Sequence, residues 1–124
     1  MNKQAQPDIV PSEQGRIINL NTDGFVGLIE SKAGSRRSSH RHREDAHHLY
    51  VVSGEMHYWH RPEGSEVPPT MEVYGPGQMV YTGPAEDHWT YFPVDTVLVS
   101  VSKLHRTKEN HEGDLTRVPW VPSV

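Results

Sequence analysis

Gly34-Ser-Arg-Arg-Ser-Ser-His40-Arg-His42-Arg-Glu-Asp-Ala-His47-His48-Leu-Tyr-Val-Val-Ser-Gly54 carries the reading of this chain. In a β-strand, side chains two apart point to the same face and stand roughly 6.5 to 7 Å apart along it, so His40 and His42 aim their imidazoles at one point. Arg43-Glu44-Asp45-Ala46 has no apolar periodicity and reads as a connection. It returns the chain into a second strand that opens at His47. A helix would turn His42 away from the face shared by His40 and His47, and Leu49-Tyr50-Val51-Val52 favours a strand. His48 has the wrong parity if His47 points inward.

A fourth imidazole lies further on, in Gly77-Gln-Met-Val-Tyr-Thr-Gly83-Pro84-Ala-Glu-Asp-His88-Trp-Thr-Tyr-Phe92. A β-rich run, a Gly83-Pro84 turn and a strand containing His88 would deliver it from a neighbouring strand. Here the residues resemble the cupin superfamily. Gly34 through His40, His42 and His47 to Gly54 fits the first cupin motif, and Gly77 through His88 fits the second, both without gaps. With the segment between them the motifs cover about half of the sequence. His47 stands where many cupins carry glutamate, which resembles the less common cupins with four histidine ligands. Gly83, Ala85 and Phe92 depart from the usual proline, glycine and asparagine.

The resemblance implies an all-β, double-stranded β-helix or jelly-roll barrel of the RmlC-like type, with about eight core strands. Composition agrees with the class: ten glycines and ten prolines imply many turns and short strands. Residues 1–15 are polar and read as an N-terminal arm, flexible or ordered by a partner, 16–103 as the barrel and 104–124 as a polar C-terminal extension. Arg61 to Thr70, with three prolines and a glycine, is the loop between the motifs. At 124 residues a single domain is expected. Hydrophobic residues at 34% are few for a self-contained core, and cupins commonly dimerise, so a homodimer is expected.

A formal charge of −4 without a basic stripe argues against nucleic acid as a partner. No signal peptide or apolar run of spanning length is visible, so the expectation is a cytoplasmic protein with no membrane partner. With no cysteine, a metal must be held by nitrogen and oxygen. His40, His42, His47 and His88 are the ligands expected for one divalent transition metal per chain: Fe, Mn, Ni, Zn or Cu. Four neutral ligands leave the ion its double charge, suited to an anionic or enolate-like ligand and to polarising a carbonyl.

Glu44, Asp45, Glu86 and Asp87 flank the ligand strands, and solvent exposure is the expectation for each. His57 and His60 are assigned to packing or surface, and His105 and His111 to a polar tail. By analogy with cupins, Met56, Tyr58 and His60 face inward. Tyr58 and Tyr81 are the expected substrate-orienting, catalytic hydroxyls, and Thr90 and Phe92 share the inward parity of His88. The functional expectation is a metal-dependent enzyme acting on a small oxygenated organic acid or carbonyl compound, a dioxygenase ahead of a redox-neutral isomerase, epimerase, lyase or cyclase. The alternatives are nucleotide-sugar chemistry and non-catalytic small-molecule binding.

Overall fold

A computed structural model of the chain describes residues 3–20, 25–103 and 113–124. Eleven strands run through them: β1 (Asp8–Ser12), β2 (Gly15–Asn19), β3 (Val26–Ser31), β4 (Ser35–His42), β5 (His47–Ser53), β6 (Met56–Pro62), β7 (Thr70–Tyr74), β8 (Met79–Thr82), β9 (Glu86–Phe92), β10 (Thr96–Ser102) and β11 (Leu115–Arg117). They form two antiparallel sheets, ordered β1-β2-β3-β10-β5-β8 and β11-β4-β9-β6-β7. Strands adjacent in sequence repeatedly fall in different sheets, as in a jelly roll. The expected all-β barrel is thereby observed, with strands added at both ends of the chain.

β5 sets the inward parity. His47, Leu49 and Val51 are buried while His48, Tyr50 and Val52 are exposed, the period of two that a half-buried strand requires. Leu49 and Val51 join Met56, Tyr58, Val80, Phe92 and Leu98 in the core between the sheets. Gly54 turns the chain from β5 into β6 with φ at 94°, a left-handed conformation that glycine adopts without steric cost. Met56 and Tyr58 then face inward as expected, and His60 is half-buried.

Both ends of the chain add to this barrel. Asp8–Ser12, within the stretch read as an arm, forms β1 and pairs with β2 while staying exposed along its length. After residue 113 the chain returns to the second sheet, where β11 pairs with β4. The tail continues along β4, with Ser39 Oγ donating to the Val118 carbonyl at 2.8 Å and Trp89 Nε1 donating to the Pro119 carbonyl at 2.9 Å. Trp89 is fully buried, so β9 is covered on both faces. Among the described residues, no helix is long and apolar enough to cross a membrane.

β4 is irregular where it matters. Ser35, Arg36 and Arg37 pair with Phe92, Tyr91 and Thr90, then the register shifts, and His40 pairs with His88. Ser38 and Ser39 thus stand against Trp89 alone. Ser38 has φ at 68°, the left-handed region that a non-glycine residue rarely occupies, as at a β-bulge. A bulge adds one residue to the strand and reverses its parity. Arg37, opposite inward-facing Thr90, and His40, opposite inward-facing His88, therefore both look into the barrel despite their odd spacing of three.

Candidate metal centre

His40 and His88 are cross-strand partners on β4 and β9, and their ring centroids lie 4.6 Å apart. His42 follows His40 on the same face, with its ring 4.9 Å from that of His40 and 5.8 Å from that of His88. One nitrogen from each of these three rings lies within 4.8 Å of the others. Nitrogens sharing one ion at about 2.1 Å stand roughly 3 to 4 Å apart, so small side-chain shifts suffice to close the set on a metal. His47 comes from the opposite sheet and stands one step out, its ring 5.8 Å from His42 and 5.9 Å from His88. Strand pairing fixes the first three, whereas the spacing between sheets fixes His47.

The donor chemistry fits a divalent transition metal. All four groups are imidazoles, and His42, His47 and His88 are 1%, 5% and 0% exposed. Hydrogen bonds orient two of them. His88 Nδ1 lies 3.3 Å from the Glu86 carbonyl, and donation there leaves Nε2 to face the cluster. His42 Nδ1 lies 3.2 Å from Oδ2 of Asp114, and donation to that carboxylate likewise leaves Nε2 as the ligand atom.

Asp114 was not among the carboxylates singled out from sequence. Its oxygens also accept from the backbone N–H groups of Glu44 at 2.7 Å and Asp45 at 3.1 Å. Burial raises the pKa of this carboxyl, but the two backbone donors and the adjacent His42 outweigh that and hold it below its ordinary value. It stands as an anion beside the ligand it orients. The only sequence signal was an isolated aspartate in a polar tail, which carries no address.

Two of the four flanking carboxylates depart from the expected exposure. Asp45 is 3% exposed, and its Oδ1 accepts from the N–H of Ala46. Asp87 is 4% exposed on the outer side of β9, where Arg41 Nη1 bonds it at 3.0 Å and Arg61 approaches to 3.7 Å. A buried carboxylate is kept only with such partners. Glu44 is exposed, and Glu86 lies half-buried, 3.4 Å from His60 Nδ1.

The two tyrosines differ in burial. Tyr81 is 57% exposed, so it does not have the inward placement on which its orienting role depended. β8 pairs with β5 so that Tyr81 opposes His48 and Val80 opposes Leu49, and the ring of Tyr81 therefore lies 5.0 Å from that of His48 on the outer face. Its neighbour Thr82 faces inward instead and is fully buried. Tyr58 is buried, stacked at 19° and 6.4 Å against His88, with its hydroxyl 2.6 Å from Thr82 Oγ1. Burial drives the Tyr58 pKa well above the ordinary tyrosine value, so its hydroxyl remains protonated. Tyr58 and Tyr81 both line, with Tyr74 and Glu86, a space of about 250 Å³. That space is separate from the cavity on the His40 side.

Of the other histidines, His57 bonds Glu55 and His60 bonds Glu72, both at 2.7 Å, in keeping with surface roles. His105 and His111 lie outside the described residues. A cavity of about 230 Å³ between the sheets is lined by His40, His47, Arg37, Thr90 and Ser100. A surface groove of about 540 Å³ near Arg16 and Asp95 is larger but contains no histidine.

No family model and no curated protein matches the sequence. The fold does match solved structures. The capsular polysaccharide assembling protein CapF from Staphylococcus aureus superposes with a TM-score of 0.77 at 15% identity, over 96% of this chain and 33% of CapF. The chain thus spans about a third of CapF. Drosophila melanogaster CENP-C bound to CAL1 gives 0.67 at 16% identity, over 78% of this chain and 76% of that one. An RmlC-like cupin from Shewanella frigidimarina gives 0.64 at 20% identity, over 84% and 89%. The fold is therefore that of the RmlC-like cupins.

Proposed function

We propose that the protein is a metal-dependent cupin enzyme acting on a small oxygenated organic acid or carbonyl compound, with oxidative, dioxygenase-type chemistry as the favoured reaction. The observation that carries this reading is the convergence of His40, His42 and His88 within 4.8 Å, with His47 facing them across the barrel. A divalent ion held there by neutral ligands would keep its full charge and supply Lewis-acid activation of a bound oxygen function.

The chain's own residues do the rest. Asp114 and the Glu86 carbonyl fix the tautomers of His42 and His88. Ile29, Leu49 and Phe92 supply apolar wall to the cavity beside Arg37, His40, His47 and Thr90. Tyr58, held protonated, is suited to donate a hydrogen bond through Thr82 and unsuited to act as a base.

The test begins with elemental analysis of protein purified without chelator. Metal near one equivalent per chain, followed by turnover of small hydroxy or oxo acids with stoichiometric O₂ uptake, supports the proposal. Equal turnover under anaerobic conditions moves the reaction to isomerase or lyase chemistry. Activity that survives complete metal removal defeats the metal-dependent reading.

A further inference from the structure

We infer that Arg37 is an anion anchor inside the barrel, and that the cavity it shares with His40 and His47 takes a small carboxylate, gripped by Arg37 and by the hydroxyl of Thr90. The inference deepens the proposed function by naming the charged end of its substrate. It rests on that reading only for what the bound acid undergoes.

Arg37 points inward because the Ser38 bulge lets both it and His40 do so. An inward arginine in a barrel this small must be compensated. Its Nε donates to Ser31 Oγ at 2.8 Å and its Nη2 to the Glu30 carbonyl at 3.1 Å, both neutral acceptors. Among the described residues, no ion pair within 4.0 Å joins Arg37 to a carboxylate. Desolvation lowers its pKa from the ordinary guanidinium value with no charge partner to offset it, yet a guanidinium stays charged in proteins.

The geometry of the fork decides what can be added. The edge formed by Nε and Nη2 is engaged by Ser31 and Glu30, which leaves the end edge of Nη1 and Nη2, the pair of parallel donors that matches a carboxylate. Directly across the strands stands Thr90, 1% exposed, whose Oγ1 is buried without a hydrogen-bond partner among the described residues. A buried hydroxyl left in that state costs free energy unless a ligand meets it. Arg37 and Thr90 therefore present two converging polar demands on the wall of one cavity, with Ser100 beside them.

Volume sets the size of the guest. A space of about 230 Å³ holds the equivalent of roughly eight waters, so it suits an acid of about six to ten non-hydrogen atoms. A sugar nucleotide is far too large to enter it whole.

The probes are malonate and malonamide, equal in size and different in charge, titrated calorimetrically into metal-loaded and chelator-treated protein. Malonate is expected to bind at least tenfold more tightly than malonamide in both preparations, equivalent to about 1.4 kcal/mol. Arg37→Gln should abolish that preference in the chelator-treated protein and reduce it in the loaded protein with metal content unchanged, and Thr90→Val should weaken malonate several-fold. Should Arg37→Gln fail to fold by circular dichroism, Arg37→Lys serves, keeping the charge but losing the fork and part of the preference. Malonate preference confined to loaded protein and unaffected by these variants would overturn the inference while leaving the metal reading intact. Preference that depends on Arg37 in a protein that takes up no metal would uphold the anchor and remove the metal reading.

Discussion

Asp114 holds His42 by its Nδ1 at 3.2 Å, across 72 residues of sequence. The segment after the barrel thus reaches back to orient a residue at the centre of it. The same carboxylate accepts the backbone N–H groups of Glu44 and Asp45, so one side chain fixes both the imidazole and the connection leading to His47. Removing its charge should therefore act on the metal more than on the fold. Asp114→Asn is expected to lower metal affinity by roughly 10 to 100-fold, measured by competition with a chelating dye. Asp87→Asn, which disturbs only Arg41 and Arg61, should lower the melting temperature and leave that affinity alone.

The histidines should rank by position. His88→Ala removes a member of the close set and is expected to abolish most metal binding, whereas His48→Ala, on the outer face beside Tyr81, should have no effect. His47→Glu should keep binding with a changed metal preference, because a charged oxygen replaces a nitrogen donor. Equal metal content in the His88 and His48 variants would contradict the geometry.

Ser38 offers a test of the strand itself. Deleting it removes the bulge and leaves Arg37 and His40 two residues apart, so a regular strand presents both to the interior opposite Thr90 and His88. Metal content should therefore be retained in this variant while far-ultraviolet circular dichroism stays β-type; loss of metal with the fold intact would contradict the bulge reading. Ser38→Gly should be neutral or stabilising by up to about 1 kcal/mol, since glycine occupies φ near 68° without strain. Ser38→Val should destabilise the protein.

Acid should act in two separate windows. Metal-bound histidines resist protonation in the native state, while unfolded histidines take up protons near a pKa of about 6.5, so the unfolded state binds more protons and metal-derived stability falls as pH drops below that value. A chelator should lower the melting temperature at neutral pH and have progressively less effect as the solution is acidified. The second window belongs to Glu30, whose pKa is lowered by its hydrogen bond from Arg16 across β2 and β3. A depressed carboxyl contributes above its unfolded value of 4.5 and loses that contribution as pH falls through the lower native value. Glu30→Gln should therefore lower the melting temperature slightly at neutral pH and not at all in strong acid, the difference shrinking with added salt.

The sequence by itself determined the β class and the convergence of the histidines. The run Leu49-Tyr50-Val51-Val52 marks a strand, and its two faces mean that if His47 points inward His48 points outward, the arrangement the structure has. The four imidazoles were legible for the same reason, each lying a countable step from an apolar run or a turn. The face of Tyr81 stayed open because Met79-Val80-Tyr81 is apolar on both faces, and only pairing with β5 decided that Val80 goes inside.

Tertiary structure alone decided the rest. The bulge at Ser38 depends on how β4 pairs with β9, so the inward turn of Arg37 could not be counted from the histidines that follow it. Asp114 lies in a polar tail without periodicity, and its role arises only when β11 lays that tail along β4. Local sequence sets which face of a strand is apolar. The pairing of distant strands sets where an extra residue reverses that face, and which remote charge comes to rest against it.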